Sequence, residues 1–327
     1  MAEPLTLTIA LERYDRHMPF FDGTVKVPAG LSLKALQVGQ TGPLRDGNDR
    51  HERMIHERAF DVAEFSMSTY LMARNRGLPL TAVPVFPRRL FSASQMFVHP
   101  LSNLWEPKDL VGKKVALSSF QTTLSLLAKG DLKFEYGVPW EDIHWLVTTE
   151  EKVKFEPKAG VRIDKLPKGV DLGHLLAKRE IDAFFMPHPP HSVMSGEAKA
   201  RRLFADTQQE ELRYFHKVGW FPIMHVLAIQ EDIVARAPWV AKALMEAYAS
   251  AKDISASYYE DPNWSRLAWG RHYFEHERDL LPTDPWPIGF KTNRANIEQF
   301  IKYSHDQGLI SERYAPERLF VESTLDT

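Results

Sequence analysis

Arginine, histidine, glutamate and a short run of hydroxyls carry the chemistry in this 327-residue sequence, and each stands near the end of a strand-forming run. Arg16 follows Leu5–Leu11, Glu64 and Ser66 stand where AFDVAEF (59–65) ends, and Arg89 follows Leu80–Phe86. Ser119, Thr122 and Thr123 follow Val115–Leu117, His188 follows Ile181–Met186, and His225 lies within PIMHVLAI (222–229). In open α/β sheets ligands sit beyond the carboxyl ends of strands, so these positions are candidate ligand contacts. Arg16 and Arg89 are read as carboxylate forks, because a guanidinium matches a carboxylate bidentately; the competing reading is an ion pair. His225 is the acid/base candidate because imidazole titrates near neutrality, set against a buried neutral histidine satisfied by backbone. Glu64 either orients an arginine, a histidine or a ring hydroxyl, or is simply an arginine's partner. Tyr14 and Tyr70 could stack on an aromatic ligand or be packing residues with a wet tip. Ser119, Thr122 and Thr123 lie at a predicted helix N-terminus, which favours an anion, with plain N-capping as the alternative.

Other chemistries find no support. Without cysteine there are no disulfides, thiolate metal sites or thiol nucleophiles. His188-Pro-Pro-His191 is the best metal candidate among thirteen histidines, but the prolines prevent a shared helical face and no acid completes the set, so no metal is expected. His51 and His56 are read as lying on an exposed helix. Walker, GxGxxG and GxSxG motifs are absent. Basic residues (41) nearly balance acidic ones (43) with no basic block, which disfavours nucleic acid and membrane surfaces and favours a small ligand. No apolar run reaches the ~20 residues of a membrane span, and the N-terminal run has no basic flank, so a cytoplasmic protein is expected.

The elements that position these residues alternate between strand and helix, which predicts βαβ units and mainly parallel sheets. Strands are expected at 5–11, 31–38, 59–65, 80–86, 95–98, 115–117, 143–147, 181–186 and 222–229. Helices are expected from about 49 to 58, 66 to 76, 122 to 136, 171 to 179 and 208 to 218, then through the tail at 238–259, 264–278 and 293–307. The apolar strands at 95–98 and 223–229 flank a segment of domain size and read as two chain crossings. Lobe 1 would be 1–97 plus 226–327, lobe 2 would be 98–225, and a ligand cleft would lie between them.

PKDLVGKKVAL (107–117) and LAKREIDAFF (176–185) resemble segments common in type II periplasmic-binding-protein folds. More specifically, YDR (14–16), DVAEFSMSTY (61–70), PVFPRRLF (84–91), EYGV (135–138), GWFPIMH (219–225) and QGL (307–309) are similar to the 4,5-dihydroxyphthalate decarboxylase family over nearly the whole chain. The chain departs from the family pattern where an Arg-His would follow the Arg-x-Phe unit: here Phe91 is followed by Ser92 and Ala93. The resemblance implies an α/β, two-lobed fold with a helical C-terminal region, acting on a hydroxylated aromatic carboxylate. Loss of CO2 leaves carbanion character on the ring unless a proton reaches the ipso carbon, and a para hydroxyl supplies electron density. No cofactor is therefore expected, with His225, Glu64 and Arg89 catalytic and Tyr14, Arg16, Ser66, Arg89, Ser119, Thr122, Thr123 and His188 binding the substrate. The rival is a non-catalytic binding protein for an aromatic or other organic anion. Trp264–Phe274 reads as a packed helix or a subunit contact, and a homo-oligomer is expected.

Overall fold

A computed structural model of the chain describes residues 3–39, 50–281 and 283–327. The order begins β1 (Leu5–Leu11), α1 (Met18–Asp22), β2 (Leu31–Gln37), a helical turn α2 (Arg50–Glu52) continued by a π-helical turn over Arg53–Glu57, β3 (Val62–Ser66), α3 (Met67–Asn75) and β4 (Leu80–Val83). It continues with β5 (Met96–Val98), β6 (Lys114–Leu117), α4 (Thr123–Phe134), β7 (His144–Val147), β8 (Ile163–Lys165), α5 (Leu172–Ala177), β9 (Ala183–Phe185), α6 (His191–Met194), β10 (Arg201–Arg202) and α7 (Thr207–Val218). The last stretch holds β11 (His225–Gln230), α8 (Glu231–Arg236), α9 (Val240–Tyr258), α10 (Gly270–Leu280) and α11 (Phe290–Asp306).

Two compact units result. The first comprises Met1–Arg89, His225–Ile297 and Tyr314–Thr327, and the second Leu90–Met224 with Glu298–Arg313. The first chain crossing thus falls at 89–90, earlier than the expected 97–98, because β5 pairs only with β9 and β10 and so belongs wholly to the second unit. The second crossing falls one residue before the expected one, which places His225 at the start of a first-unit strand, and Glu298–Arg313, expected in lobe 1, belongs to the second unit.

The first unit's sheet runs β2-β1-β3-β11-β4, with β1 parallel to β2 and β3, and β11 antiparallel to β3 and β4. Alternation along β1 puts Leu7, Ile9 and Leu11 into one core with Val62, Leu227, Ile229 and the α9 residues Val240 and Leu244. Each such buried aliphatic contributes about 1.5–3 kcal/mol. The second unit's sheet runs β10-β5-β9-β6-β7-β8 over a core including Phe97, Ala116, Leu146, Leu176, Ile181 and Phe184. Both sheets are mixed rather than parallel throughout. The strands that follow the two chain crossings, β5 and β11, enter antiparallel, since neither ends a βαβ unit.

The last helices differ in how they are held. The helix expected at 264–278 starts at Gly270, and none of its residues is buried. Among the described residues, no helix is long and apolar enough to cross a membrane.

Candidate active site

Alternation along β3 places Val62, Glu64 and Ser66 on one face, and the antiparallel register sets Ile229, Leu227 and His225 of β11 opposite them. That face is apolar at one end and turns polar at the other. Glu64 and His225 are diagonal neighbours across it, and Glu64 Oε1 meets His225 Nδ1 at 2.5 Å. Glu64 is fully buried and also accepts the Glu12 amide at 3.1 Å. Arg50, 1% exposed, lies 3.5 Å from the Glu64 carboxylate and 3.8 Å from that of Glu12, and its Nε donates to the Glu64 carbonyl at 2.6 Å. Burial alone would raise Glu64, but the Arg50 charge and the hydrogen bond from His225 outweigh it and hold the carboxyl well below the usual range. The site therefore keeps a buried anion.

Three imidazoles surround that anion. Burial pushes His225 down to about 4 against the pull of Glu64, so at neutral pH the ring is uncharged and its Nδ1–H points at the carboxylate. With Nδ1–H committed to Glu64, the lone pair of the neutral ring is on Nε2, at the edge away from that carboxylate. His51 is 4% exposed, 5.6 Å ring to ring from His225, and its Nε2 accepts the Ser66 amide at 3.2 Å. The expectation of an exposed, roleless His51 is thus corrected, because the segment around Arg50 turns its polar face toward β3 rather than toward water. His17 is fully buried, donates Nδ1–H to the Glu12 carbonyl at 2.8 Å, and is pushed down to about 4 by burial.

The two expected arginine forks divide. Arg89 is 3% exposed and spends its guanidinium on Asn293 Oδ1 at 2.5 Å and the Pro287 carbonyl at 3.2 Å, so it fastens a loop instead of facing His225. The neighbouring Arg88 is half-buried. Its carbonyl accepts the His225 amide at 3.1 Å, and its charge adds to burial in holding His225 and His51 neutral. Arg88 is the residue the sequence reading passed over, and its place beside Arg89 in PVFPRRLF was the signal. Arg16 is partly exposed, bonds the Pro87 carbonyl and Asp15, and lies flat between Tyr14 at 4.2 Å and Trp286 at 4.5 Å. Ser66 caps α3, its hydroxyl accepting the Thr69 amide at 3.3 Å, and stands opposite His225. Tyr70 is a packing residue, fully buried and bonded to the Leu319 carbonyl.

The remaining expected contacts lie in the second unit. Thr122 is the N-cap of α4, with its hydroxyl 2.6 Å from Ser125 Oγ and 3.2 Å from the Ser119 carbonyl. The amides of Phe120 and Gln121 donate to Glu151 at 2.6 and 3.1 Å. The chain's own carboxylate thus occupies the anion cradle expected there. Ser119 and Thr123 are buried, and His188 is exposed beyond β9. Among the described residues no group of three or more His, Asp or Glu is placed to hold a metal.

The fold places the chain in a class of two-unit α/β proteins of the periplasmic-binding-protein type. It is similar to the periplasmic sulfonate-binding protein SsuA of Methylobacillus flagellatus KT, with a TM-score of 0.58 at 13% identity, covering 98% of this chain and 92% of that one. Residues 43–151 match the family described as NMT1/THI5 like. The sequence is 30% identical to 4,5-dihydroxyphthalate decarboxylase of Comamonas testosteroni over 99% of this chain and 98% of that protein. It is 27% identical to the Pseudomonas putida protein of the same name over 62% of this chain and 79% of that one. The chain belongs to the 4,5-dihydroxyphthalate decarboxylase family.

Proposed function

We propose that the protein removes CO2 from a hydroxylated aromatic dicarboxylate of the 4,5-dihydroxyphthalate type, with His225 as the proton donor to the ring. The observation that carries this reading is the buried Glu64–His225 pair, joined through Nδ1 and within reach of the Arg88 charge, in a chain of this family. Arg88 holds a substrate carboxylate as a charge-assisted fork and Tyr14 lies against the ring, while Arg16 stays paired with Asp15.

A histidine held near 4 is a poor acid at neutral pH, and the substrate itself supplies the correction. A dianion brought beside Nε2 favours the charged imidazole, so binding and proton uptake from solvent occur together. The imidazolium then delivers its proton to the ipso carbon, with density supplied by the para hydroxyl. The bond to the carboxylate breaks heterolytically, its electron pair returns to the ring, CO2 leaves, and His225 is neutral again. One proton is consumed per CO2 released. Glu64 fixes the ring by accepting Nδ1–H and stabilises the imidazolium, while Arg50 keeps Glu64 ionised. The para hydroxyl stabilises the ring-protonated intermediate by donating density, so this route calls for no organic cofactor.

The test is incubation of chelator-treated protein with 4,5-dihydroxyphthalate, following CO2 and 3,4-dihydroxybenzoate, alongside His225→Asn and Glu64→Gln. The expected loss is about 10²–10⁴-fold in kcat for His225→Asn, the range for a positioned acid/base group. No turnover by the unaltered protein, with a thermal shift still produced by the ligand, would replace the decarboxylase with an anion-binding protein.

A further inference from the structure

The first unit contains a cavity of about 670 Å³ that His225, Glu64 and Arg88 do not line. Its walls come from the turn after β1, the second half of α9, α10 and the segment 284–288. The volume lies within the ~300–1,000 Å³ usual for small-molecule sites. Aromatic rings form much of the wall. Tyr259 and Phe274 stack at 5.6 Å and 11°, and Trp286 lies over the flat Arg16 guanidinium.

The lining cations already have carboxylate partners, and Asp261 and Glu277 add negative charge to the wall. Arg16 holds Asp15 at 3.1 Å, Lys252 holds Asp284 at 2.5 Å, and Arg271 holds Glu275 at 2.7 Å. A ligand bearing two carboxylates would find no uncommitted cation among these three. One polar group is unspent: Tyr248 lines the cavity, is 5% exposed, and its hydroxyl has no hydrogen-bond partner. Buried hydroxyls of this kind are almost always paired, so this one marks a place where a ligand atom or a water belongs.

We infer that this cavity is a second binding site, for a flat single-ring aromatic carrying at most one carboxylate and at least one hydroxyl. The stacked rings supply the faces and Tyr248 meets the polar edge. Tyr248 also packs edge-on against His17 at 5.7 Å, so the cavity shares a wall with the Glu64 cluster. Decarboxylation leaves a product with one carboxylate fewer than its substrate, and the product is the partner that fits here. That last link alone rests on the proposed function.

The experiment is isothermal titration of the full chain with 3,4-dihydroxybenzoate. It uses an Arg88→Ala background, in which the His225 site is weakened, with and without Ala256→Trp. Ala256 is an exposed α9 residue that lines the cavity, so the indole fills the space from its rim. The expected result is one equivalent bound in Arg88→Ala and none once Ala256→Trp is added. If binding is unchanged by the tryptophan, or if Arg88→Ala binds nothing, the proposal is overturned. Should Ala256→Trp fail to fold, Phe274→Ala carries the same expectation as a loss of affinity of about tenfold or more, and an unchanged affinity counts against the site. Turnover of 4,5-dihydroxyphthalate by the unaltered protein reports separately on the decarboxylase reading.

Discussion

Neighbouring arginines with unequal burial give the sharpest residue-scale test. Arg88→Ala removes the charge that acts on His225 and is expected to cut kcat/KM for the dicarboxylate by about 10²-fold or more, as loss of a charge-assisted fork does. Arg89→Met breaks the bonds to Asn293 and Pro287 and is expected to cost about 1–3 kcal/mol in denaturant unfolding while leaving kcat/KM within a few-fold. The reverse pattern would restore Arg89 as the ligand-binding residue. The pH profile is also determined at this scale. Burial holds free His225 near 4, and the reaction needs its protonated form. Above that value kcat/KM should therefore fall about tenfold per pH unit, while kcat falls at higher pH because the bound dianion raises the same imidazole. Steady-state rates from pH 5 to 8 decide this, and coincident profiles would remove His225 as the donor.

Elements decide whether these residues can meet. The end of β2 runs against the end of β1, where the Val38 amide donates to the Leu11 carbonyl at 3.0 Å, and Gly39 follows immediately. A Cβ on Gly39 would stand 2.3 Å from Glu12 Oε1, so a methyl group forces the Glu12 carboxylate off Arg50. Gly39→Ala is expected to cost about 1–3 kcal/mol by urea unfolding, with a matching loss of activity as the Arg50–Glu64 pair shifts. In the second unit Ser92, where the family pattern continues with arginine, donates to Asp131 Oδ2 at 2.6 Å, and Tyr303 donates to Oδ1 at 3.1 Å. Burial raises Asp131 to about 7 against these donors. Ser92 thus has a packing role on α4, which explains how this chain accommodates the departure within its own fold. Ser92→Ala is expected to destabilise by about 1 kcal/mol, measured by thermal unfolding, as one of those donors is lost.

For the molecule as a whole, the buried imidazoles set the acid limit. His17 and His225 are held near 4 against an ordinary value of 6.5, and His51 is also lowered. Between pH 6.5 and 4 the unfolded chain therefore binds protons that the native state refuses. Stability is complete above about 6.5 and falls as pH drops, by up to about 1.4 kcal/mol per pH unit for each histidine. Urea midpoints from pH 7.5 to 4.5 should show this slope, and His17→Phe should flatten it; a flat wild-type curve would contradict the burial of these rings. The order of residues was enough for the strand-helix alternation, the two-unit plan, the family, and Glu64 and His225 as separate candidates. Each of those rests on local periodicity or on motifs that lie within a few residues. Packing of distant segments decided that Glu64 pairs with His225, that Arg89 is bonded to Asn293 and Pro287 while the Arg88 charge acts on the imidazole, and that Arg50, His51 and His17 enclose the Glu64 anion. It also decided that Glu151 fills the cradle near Ser119. Those outcomes depend on which segments pack together across tens of residues, and burial, not residue type, sets the charge each group carries.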